Sequence, residues 1–502
     1  MVENFNDKKG NAPIIEKLTE IAENSPTAFH MPGHKRKRKF VPQDLFSFDI
    51  TEIDGVDNIH NPTGIIKESQ QLCANLFGAD KSFFLVNGTT SGVMASILAT
   101  CLPNDKIIVA RNCHKSVYNG LILSGANPIY VMPEETFFGT SGTISLQSVN
   151  EILQEHDDIK AMIITSPTYE GLCSNISEIA EVLHEKDIPL IVDEAHASHF
   201  AFSDDFPKTA LESGADIVIQ SLHKTLPVLT QTSILHLKSS IIDENRLSAT
   251  ISMLLSTSPS YIFMAVIDNC QKILSQQADI LFGEYSQNLN MFYQNTKSLK
   301  NITVLTKNEV LKNSNAFDFD FGKIILLTDK KNLIIVENYL KKYYNINIEM
   351  KGVSHLLLMT SFCDEKEDFL KLIKALTEID RKLSEGRFIE FQKSKNNDRP
   401  VVAISPAKAF NSKTETVDFQ YSIGLVSGEF IIPYPPGIPI VAPGEVITNK
   451  IVQTVKSFQD AKVEIIGTKD KDLNSIQVII WKGVFKKCHI LKRNTQTKFQ
   501  HN

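Results

Sequence analysis

Two short apolar runs constrain this chain more than any other feature. Residues 188–192 (IPLIV) end on Asp193-Glu194-Ala195-His196, and residues 215–219 (ADIVI) end on Gln220-Ser221-Leu222-His223-Lys224. An apolar run without alternation fits a strand buried on both faces, as in a parallel sheet covered by helices. In open α/β sheets ligands gather outside the carboxyl ends of the strands, so these two would bring a carboxylate, imidazoles, a hydroxyl and a lysine to one crevice. The plainer reading, two core strands followed by a surface lysine, leaves that convergence of polar groups unexplained.

The pattern repeats on both sides of this pair. SFFLV (82–86), KIIVAR (106–111), PIYVMP (128–133), AMIITSPT (161–168) and SILHLK (233–238) read as further strands, with helical spacing at 145–156 and 175–186 between them. This predicts an α/β fold with a mostly parallel, doubly wound sheet of about seven strands and right-handed crossovers. Residues 12–24 have helical spacing, and residues 49–66 are rich in Gly, Pro, Asn and Asp and read as a loop, an arm that reaches a neighbouring subunit. Residues 241–298 read as largely helical and 303–385 as a smaller α+β unit. Five prolines among residues 433–443 require an extended loop there. The expected division is an N-terminal arm (1–60), a major domain (61–285), a small α+β domain (286–390) and a C-terminal α+β domain (391–502).

The strand-end groups match the needs of pyridoxal 5′-phosphate. Lys224 can hold its aldehyde as a Schiff base, Asp193 can keep its pyridine nitrogen protonated, and hydroxyls and imidazoles can hold its phosphate. The turn Asn87-Gly88-Thr89-Thr90-Ser91-Gly92 follows a strand and opens a helix, so Thr89, Thr90 and Ser91 with free backbone N–H groups form a phosphate cup. Such residues also simply cap helices, and the placement after a strand favours the cup. His114, just past KIIVAR, can lay its ring on the cofactor face; the alternative is a helix cap.

A formal net charge of −6 and a pI near 6.1 exclude a general nucleic-acid binder, which would carry a basic face. The basic run Lys35–Lys39 is therefore read as a solvated loop or a local anion contact, with no partner assigned. No apolar run is long enough to span a bilayer and residues 1–11 lack an apolar signal core, so the expected location is cytoplasmic, with no membrane partner. Seven scattered cysteines (73, 101, 113, 173, 270, 363, 488), none in a C-x-x-C pair, read as reduced thiols, neither disulfides nor a metal site.

These residues fall in motifs that resemble the bacterial ornithine/lysine/arginine decarboxylases of pyridoxal-phosphate fold type I, the aspartate-aminotransferase-like fold. The motifs are HMPGHK (30–35), DITEIDGVDNIHNPTG (49–64), LVNGTTSG (85–92), RNCHKS (111–116), VDEAHASHF (192–200), QSLHKTLPVLTQ (220–231) and FIIPYPPGIPIVAPGE (430–445). The resemblance covers nearly the whole length and is closest to the short, wingless group of arginine and lysine decarboxylases. It implies Lys224 as the Schiff-base lysine, Asp193 as the pyridine partner and His114 as the stacked ring. It further implies Thr89, Thr90, Ser221 and His223 as phosphate ligands, and His196 beside the cofactor's O3′ edge or the substrate. Lys224, Asp193, His196 and His223 are thus the expected catalytic set. The implied activity is decarboxylation of arginine, lysine or ornithine in polyamine synthesis, by a homodimer or larger homo-oligomer. Two departures stand out: the basic run after PGHK, and Asp320-Phe321 where Asp-Pro is common. Glu349 and Glu429 are positional candidates to receive the substrate's basic end. An aminotransferase on the same fold is the main rival, but it needs an arginine from the small domain, and residues 300–380 contain none, which leaves only the more distant Arg381, Arg387 or Arg399 for that role. A non-catalytic regulator of this fold would have no need of Lys224, Asp193 and the phosphate cup together.

Overall fold

The computed structural model describes residues 27–40, 48–53, 55–383, 399–460 and 463–480, with positions 23, 24 and 45. Most of the helix expected over 12–24, Arg387 and Cys488 lie outside them.

The central sheet contains the expected strands β1 (Lys81–Leu85), β2 (Lys106–Ala110), β3 (Asn127–Val131), β4 (Ile159–Thr165), β5 (Leu190–Asp193), β6 (Ile217–Gln220) and β7 (Ser233–Leu237). Their order is β1-β7-β6-β5-β4-β2-β3, with β7 antiparallel to both neighbours and every other pair parallel. Val, Ile and Leu fill β5 and β6 because helices cover both faces, and all four residues of each are buried. Register pairs Asp193 with Thr165 on one side and Ile219 on the other, which brings the polar ends of three strands level.

Helix α1 (Thr89–Thr100) and helix α2 (Lys115–Ser124) pack beside this sheet. Gly92 lets α1 approach closely: a Cβ there would lie 2.5 Å from Leu85 Cδ1 and 2.9 Å from Ile219 Cγ2. Helix α3 (Tyr261–Thr296) leads out of the major domain, and its Tyr293 hydroxyl donates to Phe321 O of the next unit at 2.8 Å. That unit has a four-stranded antiparallel sheet of Thr303–Val304, Lys323–Leu327, His355–Met359 and Met350–Lys351, with helices at Lys330–Tyr344 and Lys366–Asp380.

The N-terminal segment differs from the expected arm over residues 27–40. Thr27–Phe29 pairs in parallel with Ile346–Ile348 of the small domain. The basic run that follows is partly buried. Lys35 is 6% exposed, donates to Met359 O at 2.6 Å and His30 O at 3.0 Å, and lies 3.8 Å from Asp364. Lys37 pairs with Asp368 at 2.5 Å. At these two positions the run makes local anion contacts with the small domain, the second of the two expected alternatives.

Among the C-terminal residues described, Thr414–Asp418 pairs with Ser475–Ile479 and Ile432–Tyr434 with Glu464–Ile466. The proline-rich segment is extended, and Arg111 at the end of β2 anchors it. Its guanidinium donates to Pro439 O at 2.6 Å and Ile440 O at 2.9 Å, and pairs with buried Glu445 at 2.9 Å. Removing one partner of a buried pair leaves the other charge uncompensated. Arg111→Leu is therefore expected to destabilise the fold by about 3–5 kcal/mol, read as a lower denaturant midpoint.

Candidate active site

A cavity of about 500 Å³ opens at the carboxyl ends of β2, β4, β5 and β6. Of the nine predicted site residues, eight line it: Thr89, Thr90, His114, Asp193, His196, Ser221, His223 and Lys224. Ser91 does not. Its hydroxyl turns back to donate to Gly88 O at 2.7 Å, the local backbone bond that serine makes at a helix start.

The cup forms as the turn before α1 folds against β6 and β7. Thr89 Oγ1 contacts the Ser221 hydroxyl and lies 2.8 Å from Ser233 Oγ, a cluster of hydroxyls beside the free N–H groups of the helix. His223 sends Nδ1–H to Thr232 O at 2.9 Å, and burial pushes its pKa down to about 4. Neutral His223 then has only a lone pair at Nε2, so it donates to a phosphate only as the imidazolium that a nearby dianion would favour.

Asp193, at the end of β5, is 3% exposed and accepts the Ala195 N–H at 3.2 Å. Burial raises its pKa, with Lys224 and Ala195 opposing. His114 caps α2 through Nδ1, which accepts from Ser116 N at 3.2 Å, so both alternatives for this residue hold at once: helix cap and ring on the cavity wall. Burial, then Lys224 and Lys115, hold it neutral with a pKa of about 4. Lys224 lies in the short helix Leu222–Thr225; burial lowers its pKa while Asp193 and Glu349 raise it. Its Nζ is 3.0 Å from His196 Nε2.

Two contributions escaped the sequence reading, the HMPGHK contacts and Lys323. The HMPGHK motif locks the lysine turn to the small domain: Gly33 N donates to His223 O at 2.7 Å and its carbonyl accepts from Ser361 Oγ at 2.7 Å. Met31 and Pro32 line the cavity. Lys323, only 1% exposed, places Nζ 2.9 Å from His196 Nδ1. Glu170 lines the cavity with a pKa pushed up by burial to about 7. The DP-to-DF departure leaves Asp320 in place, accepting from Gly322 N at 2.9 Å and lying 3.3 Å from His199 Nε2.

The two acid candidates separate. Glu349 lines the cavity and accepts from Met31 N at 2.9 Å and from the Tyr169 hydroxyl. Glu429 does not line it: its oxygens accept from Lys469 N at 2.7 Å and Gln477 N at 2.9 Å inside the C-terminal unit. Tyr434, Pro435, Pro436 and Ile438 of the proline-rich segment line the cavity of their own chain.

This donor set fits pyridoxal phosphate: a hydroxyl cup at a helix N-terminus, a buried carboxylate facing the cavity, a flat neutral imidazole and a lysine of lowered pKa. The sheet order with its single antiparallel strand and the site at the strand ends define a pyridoxal-phosphate-dependent enzyme fold of type I. The constitutive lysine decarboxylase of Escherichia coli shares the fold with a TM-score of 0.71 at 20% identity, over 94% of this chain and 82% of that one. Lysine decarboxylase A of Pseudomonas aeruginosa does so with a TM-score of 0.72 at 20% identity, over 93% and 80%.

Sequence narrows the class. The family model "Orn/Lys/Arg decarboxylase, major domain" matches residues 12–324, and that of the C-terminal domain residues 389–470. The arginine decarboxylase of Bacillus subtilis is 35% identical over 93% of this chain and 97% of that protein, and that of Halalkalibacterium halodurans 34% over 94% and 98%. The chain belongs to the Orn/Lys/Arg decarboxylase family, and it is a decarboxylase. Among the described residues no helix is long and apolar enough to cross a membrane.

Proposed function

We propose that the chain converts arginine to agmatine, in preference to lysine or ornithine, with pyridoxal 5′-phosphate held at Lys224, and that the amine feeds polyamine synthesis in the cytoplasm. The observation that carries the reading is the meeting of Lys224, Asp193 and the Thr89–Ser221 cup in one cavity whose wall also holds the acid Glu349. The choice of arginine leans on the similarity to the two arginine decarboxylases above.

When bound, the cofactor supplies an electron sink for the pair left behind as carbon dioxide departs. Thr89, Thr90, Ser221 and His223 would hold its phosphate. Asp193 would keep a proton on the pyridine nitrogen, and His114 would cover the ring. Lys224, favoured as a neutral amine by burial, would hold the aldehyde and then stand close enough to return a proton to the substrate carbon. Glu349 would fix the substrate's cationic end through a charge-assisted hydrogen bond.

Purified, cofactor-loaded protein incubated with each amino acid, followed by chromatography of the product, is expected to give agmatine from arginine. Cadaverine without agmatine would overturn the substrate choice and leave the decarboxylase standing. Glu349→Gln keeps an acceptor for Met31 N but loses the charge. It should raise KM about tenfold or more, on the order of 1.5–3 kcal/mol, with a smaller change in kcat, measured by steady-state kinetics.

The reading keeps the fourfold domain division and a homo-oligomer. Ile65, Leu72 and Met253 are exposed, and none of the described residues of 49–66 lines the active-site cavity. These large apolar side chains suit burial against a second copy. A fully active monomer in sedimentation would contradict this.

A further inference from the structure

Glu170 enters the active-site cavity on a turn that the small domain holds in place. The turn follows β4 and closes on itself: Gly171 N donates to Thr168 O and Thr168 N to Leu172 O, each at 2.9 Å. Leu172 pairs with Phe319, and Asp320 N donates to Gly171 O at 2.9 Å. At Gly171, φ is +98° and a Cβ would lie 2.8 Å from Lys323 Cγ, so the chain fits there only without a side chain. The backbone that delivers Glu170 is therefore fixed.

Its side chain has no cation of its own. Glu170 is 6% exposed and lines the cavity, and among the described residues its nearest ionisable partner is His355, whose Nε2 lies 3.9 Å from Glu170 Oε1. That is too long for a hydrogen bond, and burial holds His355 neutral with a pKa of about 4. Lys323 acts on Glu170 only from a distance, its Nζ standing 2.9 Å from His196 Nδ1, and the remaining donors are the neutral Thr168 hydroxyl and Glu170's own N–H. A buried carboxylate in this state is costly to hold ionised, and a ligand that brings a positive charge removes the cost. The same wall presents a second acid. Glu349 accepts from Met31 N at 2.9 Å and from the hydroxyl of Tyr169, the residue before Glu170, and so uses two of its roughly four lone-pair sites. Both acids retain room for a further donor.

We infer that Glu170 is a specificity-determining residue, which receives the distal guanidinium of arginine on one edge while Glu349 receives it on another. A guanidinium spreads five N–H donors around a planar fork and can serve two carboxylates from different edges, whereas an ammonium is a compact point charge. One acid would hold either cation; the second favours the wider one. The inference rests on the reading of arginine as the substrate and deepens it by naming the second acid.

The test uses the full chain. With cofactor bound, Glu170→Gln should raise KM for arginine about tenfold or more, with a smaller change in kcat, because a contact to the substrate's far end is lost and the reacting groups are untouched. Calorimetry on the cofactor-free chain gives a second readout: Glu170→Gln should weaken agmatine binding about tenfold and cadaverine binding by less than about threefold. Arginine KM and agmatine affinity both within about twofold of the original in a folded Glu170→Gln protein would overturn the inference. Glu170→Asp, which sets the charge back by one carbon, should raise KM and weaken agmatine about threefold, and unchanged values there would overturn the inference even where the glutamine variant does not fold. Failure of the arginine reading is separate: it shows as cadaverine without agmatine from the unaltered protein.

Discussion

Replacing Lys224 with alanine is expected to lower turnover by at least about ten-thousandfold, more than roughly 5 kcal/mol of barrier, with the fold intact. The chemistry loses the only amine that lines the cavity at the end of β6 among the described residues. The fold loses little, because the short helix Leu222–Thr225 keeps its backbone bonds, including Leu226 N to Leu222 O at 2.9 Å, and burial already disfavours the Lys224 charge. Circular dichroism and thermal midpoints near those of the unaltered chain, beside absent turnover, are the expected pair of results. Activity above about one hundredth of the original would mean that another amine does the work.

Asp193→Asn should separate stability from catalysis in the opposite sense. The amide keeps the shape and can still accept from Ala195 N, but it cannot hold a positive pyridine nitrogen, so kcat should fall more than about tenfold, over 1.4 kcal/mol, while some cofactor is retained. Without cofactor the sign of the stability change depends on pH. Burial raises the Asp193 pKa above its ordinary value. The folded state therefore holds that proton more tightly than the unfolded state, and stability from this group is lost as pH rises through the raised pKa. The asparagine variant should thus gain denaturant resistance relative to the original chain at neutral pH and lose that advantage below the ordinary carboxylate range. A variant with undiminished kcat would remove Asp193 from the mechanism.

What the sequence made legible was local. Asp193, Ser221, His223 and Lys224 sit within a few residues of strands whose apolar runs are continuous, so strand direction alone carries them to one crevice. Thr89 and Thr90 were readable for the same reason, from a strand and a helix start. Ser91 was misplaced because a serine at a helix start can satisfy its own turn, and composition does not say which way the hydroxyl faces. Lys323 and Glu349 reach the site from 127 and 180 residues away along the chain, through contacts with His196 and Tyr169. No local period encodes such a meeting. Glu429 looked as suitable as Glu349 by position, and only the folded C-terminal unit shows its two oxygens taken by backbone amides. The proline-rich segment was readable as extended, but its attachment to its own cavity depends on Arg111, far from it in sequence.

Lys224, just after β6, is the proposed carrier of the cofactor. Purified protein loaded with pyridoxal phosphate, reduced with borohydride and digested, is expected to yield the pyridoxyl group on the peptide containing Lys224. A label on Lys323 or on any other lysine, with Lys224 unmodified, would contradict the account.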